Sequence, residues 1–221
     1  DKLRFNLGLR LSSFRIMGPG DFYTYNSSGE TMDTSVYSSG KIVKTYWNLQ
    51  PRFAGTYQLN TLSSVKVSYS RNVQNLHLLT NSTGSNPTDL WIPSSNNVKP
   101  EIADQFSTGY YRNTNNNKFE FSGEVYYKIL QNQIDYKNGA VLVANETVES
   151  HLVYGKGRAN GLEIYAKKKY GDFTGWISYT LSRTERKIDG VNNYSWYPAT
   201  QDQTHSFSVV AVYKASKKWT L

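Results

Sequence analysis

Apolar and polar residues alternate with a period of two along several segments of the chain. In the first of them, every second residue from Leu3 to Leu11 is apolar, and Arg4 and Arg10 lie among the polar residues between them. Successive side chains of a β-strand point to opposite faces of the sheet, so this alternation predicts strands with one apolar and one polar face. The same pattern occurs in the segments 49–59, 64–70, 118–129, 162–167 and 173–181, and less regularly in 104–112 and 205–214.

The connections between these segments alternate between short and long. The short ones are 60–61, 113–117, 170–172 and 215–216, and the long ones are 15–44, 76–103, 136–157 and 187–204. An up-and-down transmembrane barrel has this rhythm, with short turns at one end and longer loops at the other. The sequence therefore predicts an all-β, antiparallel, partial transmembrane β-barrel with eight strands, and a ninth that begins near Trp219.

The predicted strands are long enough to cross a membrane. A strand of about 12 residues extends about 40 Å, and at a tilt of about 45° it rises about 28 Å, close to the roughly 25 Å apolar band of outer-membrane barrels. Strands in soluble proteins have about 5–6 residues. The mean hydropathy of −0.60 argues against helical spans, which need about 18 consecutive apolar residues. It is compatible with a barrel, in which only alternate residues face lipid.

Four short motifs resemble those of TonB-dependent receptors, particularly the Bacteroidetes type. Residues 97–101, Asn-Val-Lys-Pro-Glu, resemble the family's leucine-lysine-proline-glutamate turn, with Val98 in place of leucine. Residues 161–163, Gly-Leu-Glu, resemble a strand start, and residues 179–183, Tyr-Thr-Leu-Ser-Arg, resemble a strand end. Pro198 followed by His205 resembles the proline and histidine that precede the next strand. The resemblance extends from about residue 48 to residue 221.

The resemblance implies a barrel of about 22 strands with a plugged lumen. Residues 1–221 would be a single segment of that barrel domain, with the plug domain and the C-terminal strands outside this sequence. The implied function is active uptake of a scarce ligand, a siderophore, vitamin, glycan or peptide, across the bacterial outer membrane. The implied partners are outer-membrane lipids, the TonB complex through the plug domain, and a surface lipoprotein. Since an incomplete barrel has two open edges, we expect the segment to belong to a longer chain or to pair its edges with other copies.

The sequence carries no recognisable enzymatic chemistry. There is no cysteine, which excludes disulfides and cysteine metal sites. His77, His151 and His205 have no partner at metal-ligand spacing, so neither a metal site nor a cofactor is expected. No Gly-x-Ser-x-Gly turn occurs. Residues 155–158, Gly-Lys-Gly-Arg, lead into a strand rather than a helix, which rules out a phosphate-binding loop. We therefore expect a protein that is not an enzyme.

The formal net charge of +8 has two readings. One is solvation of turns and loops, and the other is attraction to anionic lipid head groups or an acidic ligand. The basic clusters 167–169 and 217–218 lie beside short turns, where long side chains snorkel toward water. Nucleic-acid binding needs basic residues interleaved with stacking aromatic residues along one surface, so no nucleic-acid partner is expected.

Aromatic residues in the long loops are the candidate ligand contacts, because their faces stack on sugars and flat ligands. The candidates are Tyr23, Tyr25, Trp91, Tyr194, Trp196 and Tyr197. Alternatively, they belong to the aromatic girdle at the membrane surface or pack the loops. Charged residues on the polar faces would line the channel or meet the plug. They are Arg4, Arg10, Lys66, Glu120, Glu124 and Glu163.

A soluble or surface-attached β-sandwich that binds a glycan also has one apolar face per strand, and a porin-like barrel without energy coupling is a third alternative. The transmembrane barrel and the sandwich differ in what covers the apolar face of each strand. In the sandwich a second sheet covers it, and in the barrel lipid does.

We predict that the intact parent protein sediments with membranes and is extracted only by detergent. Fractionation of cells checks this. Recovery in the soluble fraction without detergent would rule out the barrel.

Overall fold

The computed structural model describes residues 2–79, 90–114, 116–137 and 148–216. Within these ranges the structure is almost entirely β, with 3-10 helices at Val148–His151 and Asn192–Tyr194. No helix in the described part is long and apolar enough to cross a membrane. The strands are β1 (Leu3–Met17), β2 (Gly20–Tyr25), β3 (Thr31–Tyr37), β4 (Ile42–Asn60), β5 (Ser63–Gln74), β6 (Leu76–Leu79), β7 (Leu90–Pro93), β8 (Glu101–Thr114), β9 (Phe119–Tyr136), β10 (Leu152–Lys168), β11 (Phe173–Ile188), β12 (Tyr197–Pro198) and β13 (His205–Tyr213).

Eight long strands form one antiparallel sheet in the order β1-β4-β5-β8-β9-β10-β11-β13, and the short β12 also pairs with β11. Each long strand lies beside the next long strand along the chain, which is the up-and-down topology that the sequence predicts. The hairpins β2–β3 and β6–β7 form two further small sheets. The sheet is not closed over the described residues. The predicted start of a ninth strand near Trp219 lies outside them.

Seven of the eight long strands are longer than the sequence pattern predicts, and β13, with nine residues, is the exception. The segment 49–59 is part of β4, which has 19 residues, and all but the first residue of the segment 118–129 lies in β9, which has 18. The extra length comes from the ends of the predicted long loops, where the clean alternation stops. Backbone pairing continues there because each unpaired N–H and C=O group would otherwise have to be satisfied by water or side chains. Two of the four long connections therefore contain paired hairpins as well.

The apolar face of the sheet is exposed. Leu7 is 81% and Leu9 72% accessible, and the same face carries Val67, Phe106 and Val125, all exposed. No second sheet packs on this face within the described ranges, since the other two sheets are two-stranded hairpins of the long loops. A two-layer sandwich would press these side chains into a dry core. The arrangement is that of a barrel wall whose apolar side faces outward.

The band of apolar side chains runs obliquely across the sheet. A continuous row of paired residues joins Val65, at the short-turn end of the band on β5, to Phe207, at its loop end on β13. On β13 the band continues to Tyr213, six residues closer to the short turn. The band thus shifts by about one residue per strand, which corresponds to a strand tilt of roughly 35°. Tilted strands facing a flat apolar layer require this shift, and barrel strands tilt by about 35–45°.

Short polar turns close the strands at one end. The Asn60 side chain accepts a hydrogen bond from the Leu62 backbone N–H at 2.9 Å. Asn116 and Asn117 adopt left-handed conformations with φ of 54° and 65°, which asparagine tolerates better than most residues. These turns lie at the positions that the sequence predicts.

The buried apolar cluster lies at the opposite end, among the long loops. Its members are Leu79, Ile92, Val98, Ile134 and Leu152. They come from the β6–β7 hairpin, the following turn, and the loop ends of β9 and β10. A single-layer sheet has no interior of its own, so this cluster is what holds the loops in place over the strand ends.

Leu7→Arg is expected to lower the free energy of unfolding in a bilayer by about 2–4 kcal/mol, because Leu7 lies in the middle of the apolar band on β1. If Leu7 faced water instead of lipid, the same substitution would change the free energy of unfolding by only about 0.5 kcal/mol. Chemical denaturation of the intact protein in lipid vesicles measures the difference. Asn6→Arg, which places the same charge on the polar face of the same strand, is the control. Equal effects of the two substitutions would show that the apolar face does not meet hydrocarbon.

Candidate functional site

Three long connections converge at the loop end of the sheet. The Tyr23 carbonyl, in the β2–β3 hairpin, accepts hydrogen bonds from the side-chain amides of Asn96 and Asn97 at 2.7 and 2.9 Å. The Asn97 amide also donates to the Glu149 carboxylate at 2.6 Å. Asn97 therefore joins the first hairpin, the turn after the second, and the short helix before β10.

A cleft of about 330 Å³ lies between these connections. Tyr23, Tyr25 and Trp91 line it, and Tyr23 and Trp91 are 39% and 56% exposed. The rings of Tyr23 and Tyr25 lie 6.3 Å apart at 31° to each other. The fold thus brings together three of the six aromatic candidates, which come from two different loops.

The polar lining of the cleft is acidic. Asp21 and Glu149 contribute carboxylates and Asn96 contributes an amide, and no Lys or Arg lines the cleft among the described residues. Burial, followed by repulsion from the Glu149 carboxylate and from Tyr23, raises the pKa of the Tyr25 hydroxyl. Tyr25 therefore stays a neutral hydrogen-bond donor well above neutral pH. The cleft offers flat apolar faces together with hydrogen-bond acceptors and donors.

The other three aromatic candidates lie apart from the cleft and make intramolecular contacts. The Lys187 ammonium lies 4.2 Å from the ring centre of Tyr194, and the Arg158 guanidinium lies 4.3 Å from that of Trp196. The Tyr197 hydroxyl donates to Asp135 at 3.0 Å. Burial, with the neighbouring Asp135 carboxylate, raises the pKa of Tyr197 to about 12. These contacts fix the last long loop against β9, β10 and β11.

Four of the six charged candidates fall in one row across the polar face. Strand pairing places Arg4 opposite Thr56, then Lys66, Gly109, Glu124 and Glu163 on successive strands. Arg10 lies opposite Gln50 on the same face, and Glu120 pairs with Lys169 at 2.8 Å near the short turns. The row is basic toward β1 and acidic toward β10.

Glu124 and Glu163 are directly opposite each other on β9 and β10. Like charges in this arrangement are destabilising. The Tyr111 hydroxyl donates to Glu124 at 2.6 Å, and the Lys66 ammonium lies 4.0 Å from the Tyr111 ring centre. These two contacts link the acidic pair to the cation on β5.

Comparison with known proteins accounts for this architecture. The family model described as TonB dependent receptor-like, beta-barrel, matches residues 1–221. The chain belongs to the TonB-dependent receptor β-barrel family. A comparison with curated protein sequences finds no match.

Solved structures of similar fold include an iron transporter and a ferric-catecholate import receptor. The chain superposes on the ferric-catecholate import receptor Fiu from E. coli K12 with a TM-score of 0.62 and 17% identity over 98% of this chain and 30% of Fiu. For the FrpB iron transporter from Neisseria meningitidis the values are 0.60 and 15% over 96% of this chain and 28% of that one. For the FpvAI–pyocin S2 complex the TM-score is 0.60 and the identity is 13%, over 97% of this chain and 24% of that one. The chain thus spans less than a third of these proteins, and at such identities the likeness shows the fold.

Several residues of this cleft are not among the sequence candidates. Asp21 lies beside the aromatic residues of β2, in a segment that the sequence pattern assigns to a long loop. Glu149 enters the cleft only through folding. Asn96 precedes the family-like turn and Asn97 begins it. Their role in joining loops depends on contacts across more than 70 residues. No group of three or more metal-binding side chains occurs in the part of the chain that the structure describes.

Asn97→Ala is expected to loosen the β2–β3 hairpin, because it removes hydrogen bonds to Tyr23 and Glu149 and leaves a partly buried carboxylate without its amide partner. The local free energy of opening should fall by about 1–3 kcal/mol. Hydrogen exchange of residues 20–37 in the intact protein measures this. Ser35→Ala, which removes an exposed hydrogen bond to Asp33 in the same hairpin, should leave the exchange rates unchanged. Equal protection in wild type and Asn97→Ala would contradict the role of Asn97.

Proposed function

We propose that the protein containing this chain is an outer-membrane receptor that takes up a scarce ligand actively, powered through the TonB complex. The observation that carries the proposal is the match of the whole chain to the receptor barrel family. The exposed, oblique apolar band supports it, because a large apolar face needs an apolar surrounding and outer-membrane barrels turn such a band toward lipid. The proposal includes a plug domain elsewhere in the protein, which contacts TonB. Its presence would distinguish such a receptor from a porin-like barrel.

The ligand enters at the loop end, and its first contact is the cleft lined by Tyr23, Tyr25 and Trp91. Binding residues are commonly carried on loops that a rigid scaffold positions. The acidic lining disfavours a ligand whose contact surface is anionic, and the aromatic faces favour rings or sugars. The names of two similar structures mention iron and ferric-catecholate import. Siderophore, vitamin, glycan and peptide are the ligand classes to compare.

The polar face lines the interior of the barrel in this proposal. Arg4, Lys66, Glu124 and Glu163 would then form a charged row that meets either the channel or the plug. The opposed Glu124 and Glu163 favour contact with a cationic group of the plug, because a cation between two carboxylates relieves their repulsion.

The protein is proposed to be of the Bacteroidetes type. Support comes from residues 97–101, 161–163 and 179–183, together with Pro198 and His205. Residues 97–101 lead into β8, and Pro198 precedes β13, which begins at His205. Residues 161–163 and 179–183 lie inside β10 and β11 rather than at a strand start and a strand end, because these strands extend further toward the loops. A surface lipoprotein partner is part of the same proposal.

Cells that produce the receptor should accumulate one of four radiolabelled probe classes, ferric siderophores, cobalamin, oligosaccharides or short peptides, only while the inner membrane is energised. A protonophore or loss of TonB should abolish accumulation. Trp91→Ala should raise the apparent KM for that probe about tenfold or more, as loss of a central aromatic contact does.

Trp47→Ala is the matched control, since Trp47 is equally bulky, 65% exposed and on the apolar face. It should leave the apparent KM unchanged. Accumulation that persists without energy would identify a porin-like barrel and overturn active transport. A normal apparent KM in Trp91→Ala would exclude the cleft as the entry site while leaving receptor function in place.

A further inference from the structure

A groove of about 270 Å³ lies on the apolar face near the short-turn end of β9, β10, β11 and β13. Small residues, Ala166, Gly175 and Ala211, line it where bulky side chains are usual on this face. Phe121 and Phe173 are among the larger side chains around it. The groove is thus a gap in the layer of large side chains, lined almost entirely by apolar atoms.

The gap is built into the backbone. Gly175 has φ of +152°, and a Cβ atom there would collide with the Val210 carbonyl oxygen on β13. Pairing places Gly175 between Lys168 on β10 and Ala211 on β13. Since no larger residue fits at Gly175, the wall cannot close the groove with its own side chain at this point.

The Lys168 side chain lies at the edge of the groove. Lys168 shares the apolar face with Ala166, and its ammonium lies 5.7 Å from the ring centre of Phe173. The neighbouring Lys169 instead pairs with Glu120 on the polar face at 2.8 Å. None of the ion pairs in the described ranges involves Lys168. Lys168 is therefore an ammonium group beside the short turns, at the level where a tilted barrel wall leaves the hydrocarbon.

We propose that this groove binds one acyl chain of an anionic phospholipid, with the lipid phosphate held by Lys168. The proposal rests on the membrane location proposed above. An empty gap in a wall surrounded by hydrocarbon loses dispersion contacts on one side, and an acyl chain restores them. Lipid tails are as apolar as the wall, so burial alone gives little preference. The preference for one lipid comes from the shape of the groove together with the charge of Lys168.

The test uses the complete receptor, purified from membranes in mild detergent and titrated with phosphatidylglycerol while native mass spectrometry counts bound lipids. Wild type should retain one phosphatidylglycerol beyond the weakly held annular lipids. Lys168→Gln should weaken its binding about fivefold, the effect of one lysine at an anionic membrane surface. Ala166→Leu, which fills the groove without removing charge, should abolish the tightly held lipid.

Two control variants separate these effects from general damage. Lys128→Gln removes a charge on the polar face, where the ammonium lies 5.3 Å from the Tyr126 ring centre. Leu162→Phe adds bulk to the apolar face outside the groove. Both should retain the lipid, and glycerol phosphate, which lacks acyl chains, should not bind.

Equal lipid retention by wild type, Lys168→Gln and Ala166→Leu would overturn the groove site while leaving the membrane location intact. Annular lipids alone in the wild-type spectrum would overturn it as well. Recovery of the receptor in the soluble fraction would instead defeat the membrane proposal on which the groove site rests.

Discussion

Continuous backbone pairing between neighbouring strands is the constraint on which the rest of this structure depends. A wall that presents apolar side chains outward can lie in hydrocarbon only if its N–H and C=O groups are satisfied within the sheet. The ladders meet this requirement over long distances, as between β9 and β10, which pair from Phe119–Lys168 to Tyr136–Leu152 with a single irregularity. Strand length, the up-and-down order and the short turns are consequences, since each keeps the ladder unbroken.

The same constraint explains why the buried cluster lies at one end. A single-layer sheet has two exposed faces and no interior, so its side chains cannot form a core as those of a sandwich do. Past the apolar band the strands continue into hairpins, and these fold against each other. Leu79, Val98 and Ile134 are buried there. Hydrogen bonds from Asn96 and Asn97 to the Tyr23 carbonyl fix the loops that line the aromatic cleft. The geometry of the cleft therefore depends on the strands that position these loops.

The two faces of the wall have separate chemistry. The polar face carries the row from Arg4 to Glu163, in which the opposed glutamates on β9 and β10 are an unfavourable pair within the sheet alone. Such a pair persists where a site needs it or where a third group relieves it. The apolar face carries mostly bulky side chains, interrupted by glycines such as Gly55, Gly123 and Gly175, and the gap at Gly175 forms part of the groove. The opposed glutamates lack a neutralising partner within the sheet, and the groove at Gly175 lacks side chains that fill it. Both features are consistent with contacts to groups outside the sheet.

The sequence by itself determined the class of fold, the eight long strands, the side of each that is apolar, and the short turns, but not the short strands inside the long connections. It did so because these depend on local periodicity and turn chemistry, as in the alternation from Leu3 to Leu11 and the asparagines at 116 and 117. It could not give the full length of β4 and β9, because pairing beyond the apolar band needs no alternation.

Only the tertiary structure decided which candidate residues meet. Tyr23, Tyr25 and Trp91 come together in the cleft, while Tyr194, Trp196 and Tyr197 bind Lys187, Arg158 and Asp135. Glu149 and the groove around Gly175 leave no local sign in the sequence. Each depends on register between distant strands and on loops that pack across more than 50 residues, and such contacts follow from the assembled sheet rather than from any one segment.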